Sequence, residues 1–136
     1  MKINTLILLA LGSLRVAADS DFGATCHDIS VSQPGGNANY PKDRFSLYAW
    51  CRKEKGAWSE SFLNLSKCIA NDGGNLVARE NGGMGGSCRD MRLSGTVLLS
   101  RCVNNNGGTT DASIDLNRLV GNRNGALTCF GASHAS

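Results

Sequence analysis

The sequence lacks the residue patterns that build metal, redox and nucleotide sites. It contains no C-x-x-C pair, and its two histidines, His27 and His134, are far apart. Zinc sites and thioredoxin-like centres depend on closely spaced Cys and His residues, so neither is expected. The Gly-rich run at 81–87 has no Gly-Lys-Ser/Thr of a phosphate loop, and no helix is predicted after it. The sequence therefore predicts neither a metal nor a cofactor.

An excess of one charge is also missing. The chain has 14 Lys and Arg against 11 Asp and Glu, and two of the basic residues, Lys2 and Arg15, lie in its first 18 residues. The remainder has 12 basic and 11 acidic residues, a net charge of +1. So small an excess provides no basic surface for a phosphate backbone, and nucleic acid is not an expected partner.

Long apolar runs are absent apart from one at the N-terminus. Lys2 precedes an apolar run at 3–14, and small or aliphatic residues follow at 16–18. This is the plan of a secretory signal peptide, and an N-terminal core helix is the alternative interpretation. We expect the first 18 residues to be a signal peptide, cleaved after Ala18. The mature chain, 19–136, is then secreted and extracellular, without membrane insertion.

The chain contains an internal repeat. Pairs that match at an offset of 51 residues include Leu47/Leu98, Cys51/Cys102, Leu65/Leu116, Asn71/Asn122, Gly74/Gly125 and Leu76/Leu127. No gap is needed from residue 45 to 78. Upstream the offset is 62, as for Cys26 and Cys88, so the first copy carries eleven extra residues within 32–44. Their Pro, Gly and Asn content is typical of an elongated hairpin tip.

Period-two alternation predicts strands in both copies. They lie at 45–51 and 61–66 in the first copy and at 94–102 and 112–117 in the second. Each copy ends in two short strands around an Asn/Gly turn, at 69–78 and 120–129. Copies of this size are too small for separate cores. The predicted fold is all-β, with two pseudo-symmetric repeats of about five short strands interlocked into one elongated domain.

The predicted repeats have definite bounds. Repeat one covers 22–80, with its insertion at about 32–44, and repeat two covers 84–131. The Gly-rich run between them is interpreted as a linker.

The repeat also selects among the fifteen pairings that six cysteines allow. Two copies of one unit are expected to carry the same internal bridge, and the remaining two cysteines then join the copies. The predicted disulfides are Cys26–Cys51, Cys88–Cys102 and, by elimination, Cys68–Cys129.

The second copy, "SCRDMRLSGTVLLSRCVNNNGGTTDASIDLNRLVGNRNGAL" at 87–127, resembles the cyanovirin-N homology family. The motifs are the paired Cys, S-I-D-L-N and a closing hydrophobic-x-N-x-[DN]-G-x-L. The first copy matches from Phe22 to Leu76 when the insertion is allowed for. The resemblance implies a small lectin in which hairpins cross between the repeats. It also implies recognition of mannose-type glycans or glycoproteins at one or two sites, without catalysis.

The resemblance implies a first sugar site around the first two cysteines and the last Asn-Gly turn. Planar amides, carboxylates and guanidinium groups suit the adjacent hydroxyls of a sugar. The residues carried over are Asp21, Thr25, Arg52, Glu54, Asn122, Arg123 and Asn124.

The pseudo-symmetric second site is less well equipped, because glycines stand where family binders present polar side chains. Its residues are Asn71, Asp72, Ser87, Asn104 and Asn105.

Other interpretations compete at several positions. Asn71 and Asn122 also suit a tight turn, which favours a structural role with ligand contact additional in one copy. Trp50 is predicted in the core, although a tryptophan such as Trp58 also suits a sugar platform. Asn64 begins an N-L-S sequon and is a glycosylation candidate.

Catalysis is not favoured, because no nucleophile and base are recognisable and no spacing sets Glu54 against Asp111 or Asp115 across a cleft. The alternative to a lectin is a secreted, disulfide-stapled protein-interaction or effector domain that has lost sugar binding. A monomer is expected, or a domain-swapped dimer, since the halves exchange hairpins.

Cleavage after Ala18 gives a direct prediction. Protein recovered from the medium of a secreting host begins at Asp19, and intact-mass spectrometry under non-reducing conditions shows 19–136 with six cysteines oxidised. A secreted chain that retains Met1 contradicts the signal-peptide interpretation.

Overall fold

The computed structural model describes residues 19–34 and 45–135. The predicted signal peptide and residues 35–44 of the predicted insertion lie outside the described residues. Within the described ranges the chain forms ten β-strands and four short 3₁₀ turns, without an α-helix. Nothing in these ranges forms a helix with the length and apolarity that a membrane crossing needs.

Five strands belong to each copy of the repeat, as predicted. The strands are β1 (Cys26–Ser32), β2 (Ser46–Arg52), β3 (Trp58–Asn64), β4 (Ile69–Asp72), β5 (Asn75–Ala78), β6 (Cys88–Ser94), β7 (Val97–Val103), β8 (Thr109–Asp115), β9 (Gly121–Arg123) and β10 (Ala126–Thr128). The 3₁₀ turns are Phe22–Ala24, Leu65–Lys67, Met84–Gly86 and Leu116–Arg118. The all-β fold class is confirmed.

The strands form two equivalent sets of antiparallel sheets. β1–β2–β3 and β6–β7–β8 are three-stranded sheets, and β4–β5 and β9–β10 are two-stranded hairpins. The hairpin of each copy contacts the sheet of the other, β10 against β3 and β5 against β8. The N–H of Leu127 in β10 donates to Ser61 Oγ in β3 at 2.8 Å. The predicted interlocking of the two repeats is therefore confirmed.

The core follows from strand alternation, which buries every second residue on one face of each sheet. In β2 the buried residues Leu47, Ala49 and Cys51 alternate with partly exposed ones, and Leu98 and Cys102 are buried at the matching positions of β7. The hairpins add Leu76 and Leu127 to the same cluster. Both copies thus share one core, as their small size requires.

The eleven extra residues of the first copy fall in the connection between β1 and β2. Ser32 pairs with Ser46, which leaves thirteen residues, 33–45, between the paired positions. In the second copy Ser94 pairs with Val97, which leaves two. The difference is the predicted eleven.

Two strands end earlier than the sequence predicts. Alternation predicted strands through Ser66 and Asn117, but β3 ends at Asn64 and β8 at Asp115. The side chains of Asn64 and Asp115 each accept the backbone N–H two residues on, at 3.0 Å, and cap a 3₁₀ turn. Local side-chain acceptors of this kind compete with strand pairing. The apolar residues that follow are still buried. The alternation of apolar and polar residues in the sequence therefore continues beyond the ends of the strands.

The Gly-rich run is a packed element of the second repeat. Met84 is fully buried and begins a 3₁₀ turn, as Phe22 does at the start of the first copy. A Cβ on Gly82 would lie 2.5 Å from the carbonyl carbon and oxygen of Ile69. The predicted linker is therefore closely packed, and the contact with Ile69 requires glycine at 82.

All three predicted disulfides are present. Cys26–Cys51 and Cys88–Cys102 join directly paired residues of neighbouring strands, with Cα atoms 4.1 and 4.0 Å apart. Cys68–Cys129 connects the two copies across 61 residues of sequence. Closing so long a loop removes the most freedom from the unfolded chain, about 4 kcal/mol in the chain-entropy model.

Gly82 and Gly86 form a matched pair for a stability test. We expect Gly82→Ala to lower the free energy of unfolding by about 1–3 kcal/mol, because its Cβ meets the Ile69 backbone. Gly86→Ala, with no atom within 4 Å of its Cβ, changes stability by less than about 0.5 kcal/mol. Urea unfolding measures both. Equal stability of the two variants contradicts the packing of the run.

Candidate functional site

The turn between β9 and β10 is held by the side chain of Asn122. Its Nδ2 donates to Thr25 Oγ1 and to the Arg52 carbonyl, both at 2.9 Å. Its Oδ1 accepts the N–H of Gly125 at 2.8 Å. Asn124 and Gly125 have φ of 50° and 91°, the positive values of a type I′ hairpin turn. One amide thus fixes its own turn and joins it to the first copy.

The same arrangement recurs in the pseudo-symmetric turn. Asn71 Nδ2 donates to Ser87 Oγ and to the Val103 carbonyl, both at 2.9 Å, and its Oδ1 accepts from the Gly74 N–H at 2.7 Å. Both asparagines therefore have the structural role that the turn chemistry predicts. Their amide groups are already occupied before any ligand binds.

An open cavity of about 350 Å³ lies beside the Asn122 turn, and we call it the first cavity. Its lining residues are Thr25, Arg52, Lys53, Glu54, Asn122, Arg123 and Asn124. Six of the seven residues predicted for the first sugar site thus lie together. They come from both copies of the repeat, which β1, β2 and the β9–β10 turn bring to one end of the sheet.

The residues that line the first cavity differ from the predicted set at two positions. Asp21 is not among its lining residues; it precedes the 3₁₀ turn 22–24 in a left-handed conformation, and its N–H donates to the Asn117 carbonyl. Lys53 lines the cavity and was not predicted. Its position between Arg52 and Glu54 was the only available signal in the sequence.

The lining side chains divide into held and available groups. Asn124 Oδ1 accepts the N–H of Glu54 at 3.1 Å and so fixes the loop after β2. Arg123 donates to the Gly131 carbonyl at 3.0 Å and lies 3.9 Å from Asp19. Arg52 and Glu54 are exposed. Neither of their charged groups forms an ion pair with the described residues. A guanidinium and a carboxylate are therefore available on one wall.

The second predicted site is not assembled in the same way. A smaller cavity of about 200 Å³ is lined by Ser87, Arg89 and Arg101, among others, but by none of the predicted asparagines. Asn104 accepts from the N–H groups of Asn106 and Gly108 within its own turn.

The other predicted residues of that site have different surroundings. Asn105 lies against Gly73, with its Nδ2 2.8 Å from the position of a Cβ there, and Asp72 is exposed in the β4–β5 turn. Only Ser87 of the predicted side chains lines the smaller cavity. The arginines that do line it were not predicted, because strand residues on an outer face carry no motif.

The prediction for Trp50 was wrong. Trp50 alternates with the buried Ala49 and Cys51, so it lies on the outer face of the sheet, where it is half-buried. Trp58 is 46% exposed and packs edge-on against His27, with ring centroids 4.4 Å apart.

Asp111 and Asp115, the other acidic residues considered for catalysis, lie outside the first cavity. Asp115 accepts from the Thr96 hydroxyl at 2.8 Å in addition to capping its 3₁₀ turn. Asp111 lies 3.5 Å from Arg101 in the sheet β6–β7–β8, whereas Glu54 follows β2 of the other three-stranded sheet. Across 19–34 and 45–135, no group of three His, Cys, Asp or Glu side chains is placed to hold a metal ion. Glycosylation of Asn64 stays a prediction.

Comparison with known proteins adds independent information. The family model described as CVNH domain matches residues 1–77 and 84–136. The structure of TbCVNH from T. borchii is 30% identical, covers 80% of this chain and 98% of its own, and has a TM-score of 0.60. A microvirin:mannobiose complex is 26% identical over 81% of this chain and 98% of that one, with a TM-score of 0.62.

A more distant structure shares the fold. The MoCVNH3 variant Mo0v, in complex with (N-GlcNAc)4, is 21% identical over 81% of this chain and 97% of that one, with a TM-score of 0.67. No curated protein matches the chain at a significant level.

The amide of Asn122 provides a prediction about stability. Asn122→Ala leaves the Arg52 carbonyl and the Gly125 N–H without their partner, so we expect a loss of about 1–3 kcal/mol in the free energy of unfolding. Asn71→Ala is expected to cost a similar amount. Asn106→Ala, in an exposed turn, serves as the control and changes stability little. If all three variants unfold with the wild-type midpoint in urea, the structural role is wrong.

Proposed function

The chain belongs to the cyanovirin-N homology family, and from that premise we propose that it is a lectin that binds mannose-type glycans in the first cavity and catalyses no reaction. The observation that carries this proposal is the set of polar groups in that cavity. A free guanidinium and a free carboxylate lie on one wall, beside the held amides of the Asn122 turn.

These groups suit the chemistry of a sugar. Glu54 offers two acceptor oxygens, and Arg52 offers donors in a fixed fork, so each is suited to paired hydroxyls. The backbone and amide groups of the turn are fixed by Asn122 and Asn124 before the ligand arrives. A preformed wall reduces the entropy that binding would otherwise cost.

Two structures of similar proteins support carbohydrate as the class of ligand. The microvirin structure holds mannobiose, and the Mo0v structure holds (N-GlcNAc)4. The first supports mannose as the sugar of this chain, and both support carbohydrate as the ligand class. The open shape of the first cavity suits a short oligosaccharide rather than an enclosed small molecule.

The second predicted site is proposed to be inactive. At the position equivalent to Arg52 it has Val103, and at that of Glu54 it has Asn105. Its Asn71 and Asn104 amides are bonded within the protein. The second site therefore keeps the hydrogen bonds that hold its turn and lacks the charged groups of the first cavity.

We also propose that the protein is secreted and acts outside the cell. The signal-like N-terminus supports this, and so do the three disulfides, which persist in oxidising compartments. Glycans and glycoproteins on cell surfaces are then the accessible partners.

Glu54→Gln tests the site with little change in shape. We expect it to weaken the binding of mannobiose about tenfold, measured by titration calorimetry, because a hydrogen bond to a charged group is lost. Arg52→Ala is expected to act in the same direction. Glu80→Gln, an exposed carboxylate outside the cavities, is the control and leaves the affinity unchanged.

Two other outcomes distinguish a wrong binding site from a wrong function. Binding that is unaffected by both Glu54→Gln and Arg52→Ala contradicts the site and leaves the lectin. A wild-type protein that binds no mannose-type glycan at high micromolar concentration contradicts the lectin. That result favours the protein-interaction or effector domain that the sequence also allows.

A further inference from the structure

A larger cavity lies on the other side of Arg123, and we call it the Phe130 cavity. Its volume is about 550 Å³, and its wall includes Phe130, Leu119 and Ala78. Arg123 lines both this cavity and the first cavity. The two cavities therefore have the Arg123 side chain in common.

Phe130 occupies this wall in an unfavourable backbone conformation. It and Gly131 have φ of 50° and 77°, in a turn closed by hydrogen bonds in both directions between Cys129 and Ala132, at 3.0 and 3.1 Å. The left-handed region is disfavoured for a bulky side chain, whereas Gly or Asn adopts it readily. The ring is 42% exposed, so its burial provides only part of the usual stabilisation. Folding alone does not explain an aromatic residue here.

The charges of the cavity are unequal. The carboxylate of Asp19 is largely buried, accepts from the Thr128 hydroxyl at 2.7 Å and from the Gly131 N–H, and lies 3.9 Å from Arg123. Asp19 and Arg123 thus offset each other. Arg118 is exposed at the rim and has no carboxylate within ion-pairing distance in 19–34 or 45–135. Among the side chains that line this cavity, one positive charge therefore remains unpaired.

We propose that the Phe130 cavity binds an acidic sugar unit, a pyranose that carries a carboxylate, adjoining the sugar in the first cavity. This proposal rests on the carbohydrate binding proposed above. The apolar C–H face of the pyranose packs on the Phe130 ring, in the way that aromatic side chains pack against apolar groups. The carboxylate pairs with the Arg118 guanidinium, whose fork matches it in two hydrogen bonds.

The two matched ligands are mannobiose and a disaccharide in which glucuronic acid is attached to mannose. We expect the wild-type protein to bind the acidic disaccharide about tenfold more tightly at low salt, and this advantage to shrink as salt is added. Arg118→Gln removes the advantage and leaves mannobiose binding unchanged. Lys67→Gln, the same change at the equivalent position of the first copy, is the control and keeps the advantage.

Phe130→Asn separates binding from folding. Asn tolerates the left-handed backbone, so the thermal midpoint is expected to stay the same or rise, while the affinity for both disaccharides falls because the ring that packs on the pyranose is lost. Phe130→Tyr retains the ring and the affinity. A fall in both the midpoint and the affinity indicates a purely structural residue and contradicts the proposal.

The outcomes distinguish the two proposals. Mannobiose binding without any preference for the acidic disaccharide overturns the Phe130 cavity and leaves the lectin. Binding of the acidic disaccharide alone, lost in Arg118→Gln, supports the Phe130 cavity and overturns the first cavity as a site that is sufficient for mannose-type glycans. Binding of neither disaccharide to the wild-type protein overturns both.

Discussion

Two asparagine amides hold this protein together at the points where its copies meet. Asn122, in the last turn of the second copy, bonds to Thr25 and Arg52 of the first, and Asn71 bonds in the same way to Ser87 and Val103. Each amide closes its own hairpin turn and fixes that hairpin against the other copy. The shared core and the Cys68–Cys129 bridge complete a structure in which neither copy is self-contained.

The candidate site follows from this crossing. Because the turn of one copy is fixed beside the strand end of the other, the first cavity combines Arg52 and Glu54 with Asn124. The equivalent hydrogen bonds recur around the β4–β5 turn, where Val103, Asn105 and Gly73 occupy the positions of Arg52, Glu54 and Asn124. The repeat thus produces two similar backbone arrangements. One of them carries charged side chains that suit a sugar.

Much of the fold could be predicted because the two copies can be compared residue by residue. The disulfide pairing, the eleven-residue insertion and the Asn-Gly turns all follow from residues that match between copies. The early ends of β3 and β8 could not, since capping by Asn64 and Asp115 depends on local geometry while the apolar alternation continues. The side of Trp50 was predicted from residue type, although alternation with Cys51 places it outside.

The site was predictable only in part. Matching the repeat to the family predicted seven residues, six of which line one cavity, but it did not show that Asn122 and Arg123 are bonded within the protein. Long-range contacts such as Arg123 with Asp19 have no local pattern in the sequence.

The most direct test of mannose binding in the first cavity is a titration of the ¹⁵N-labelled protein with mannobiose, followed by amide chemical shifts. We expect the shifts to concentrate on Arg52–Glu54 and Asn122–Gly125. Shifts centred on Ser87, Arg89 and Arg101 would contradict it.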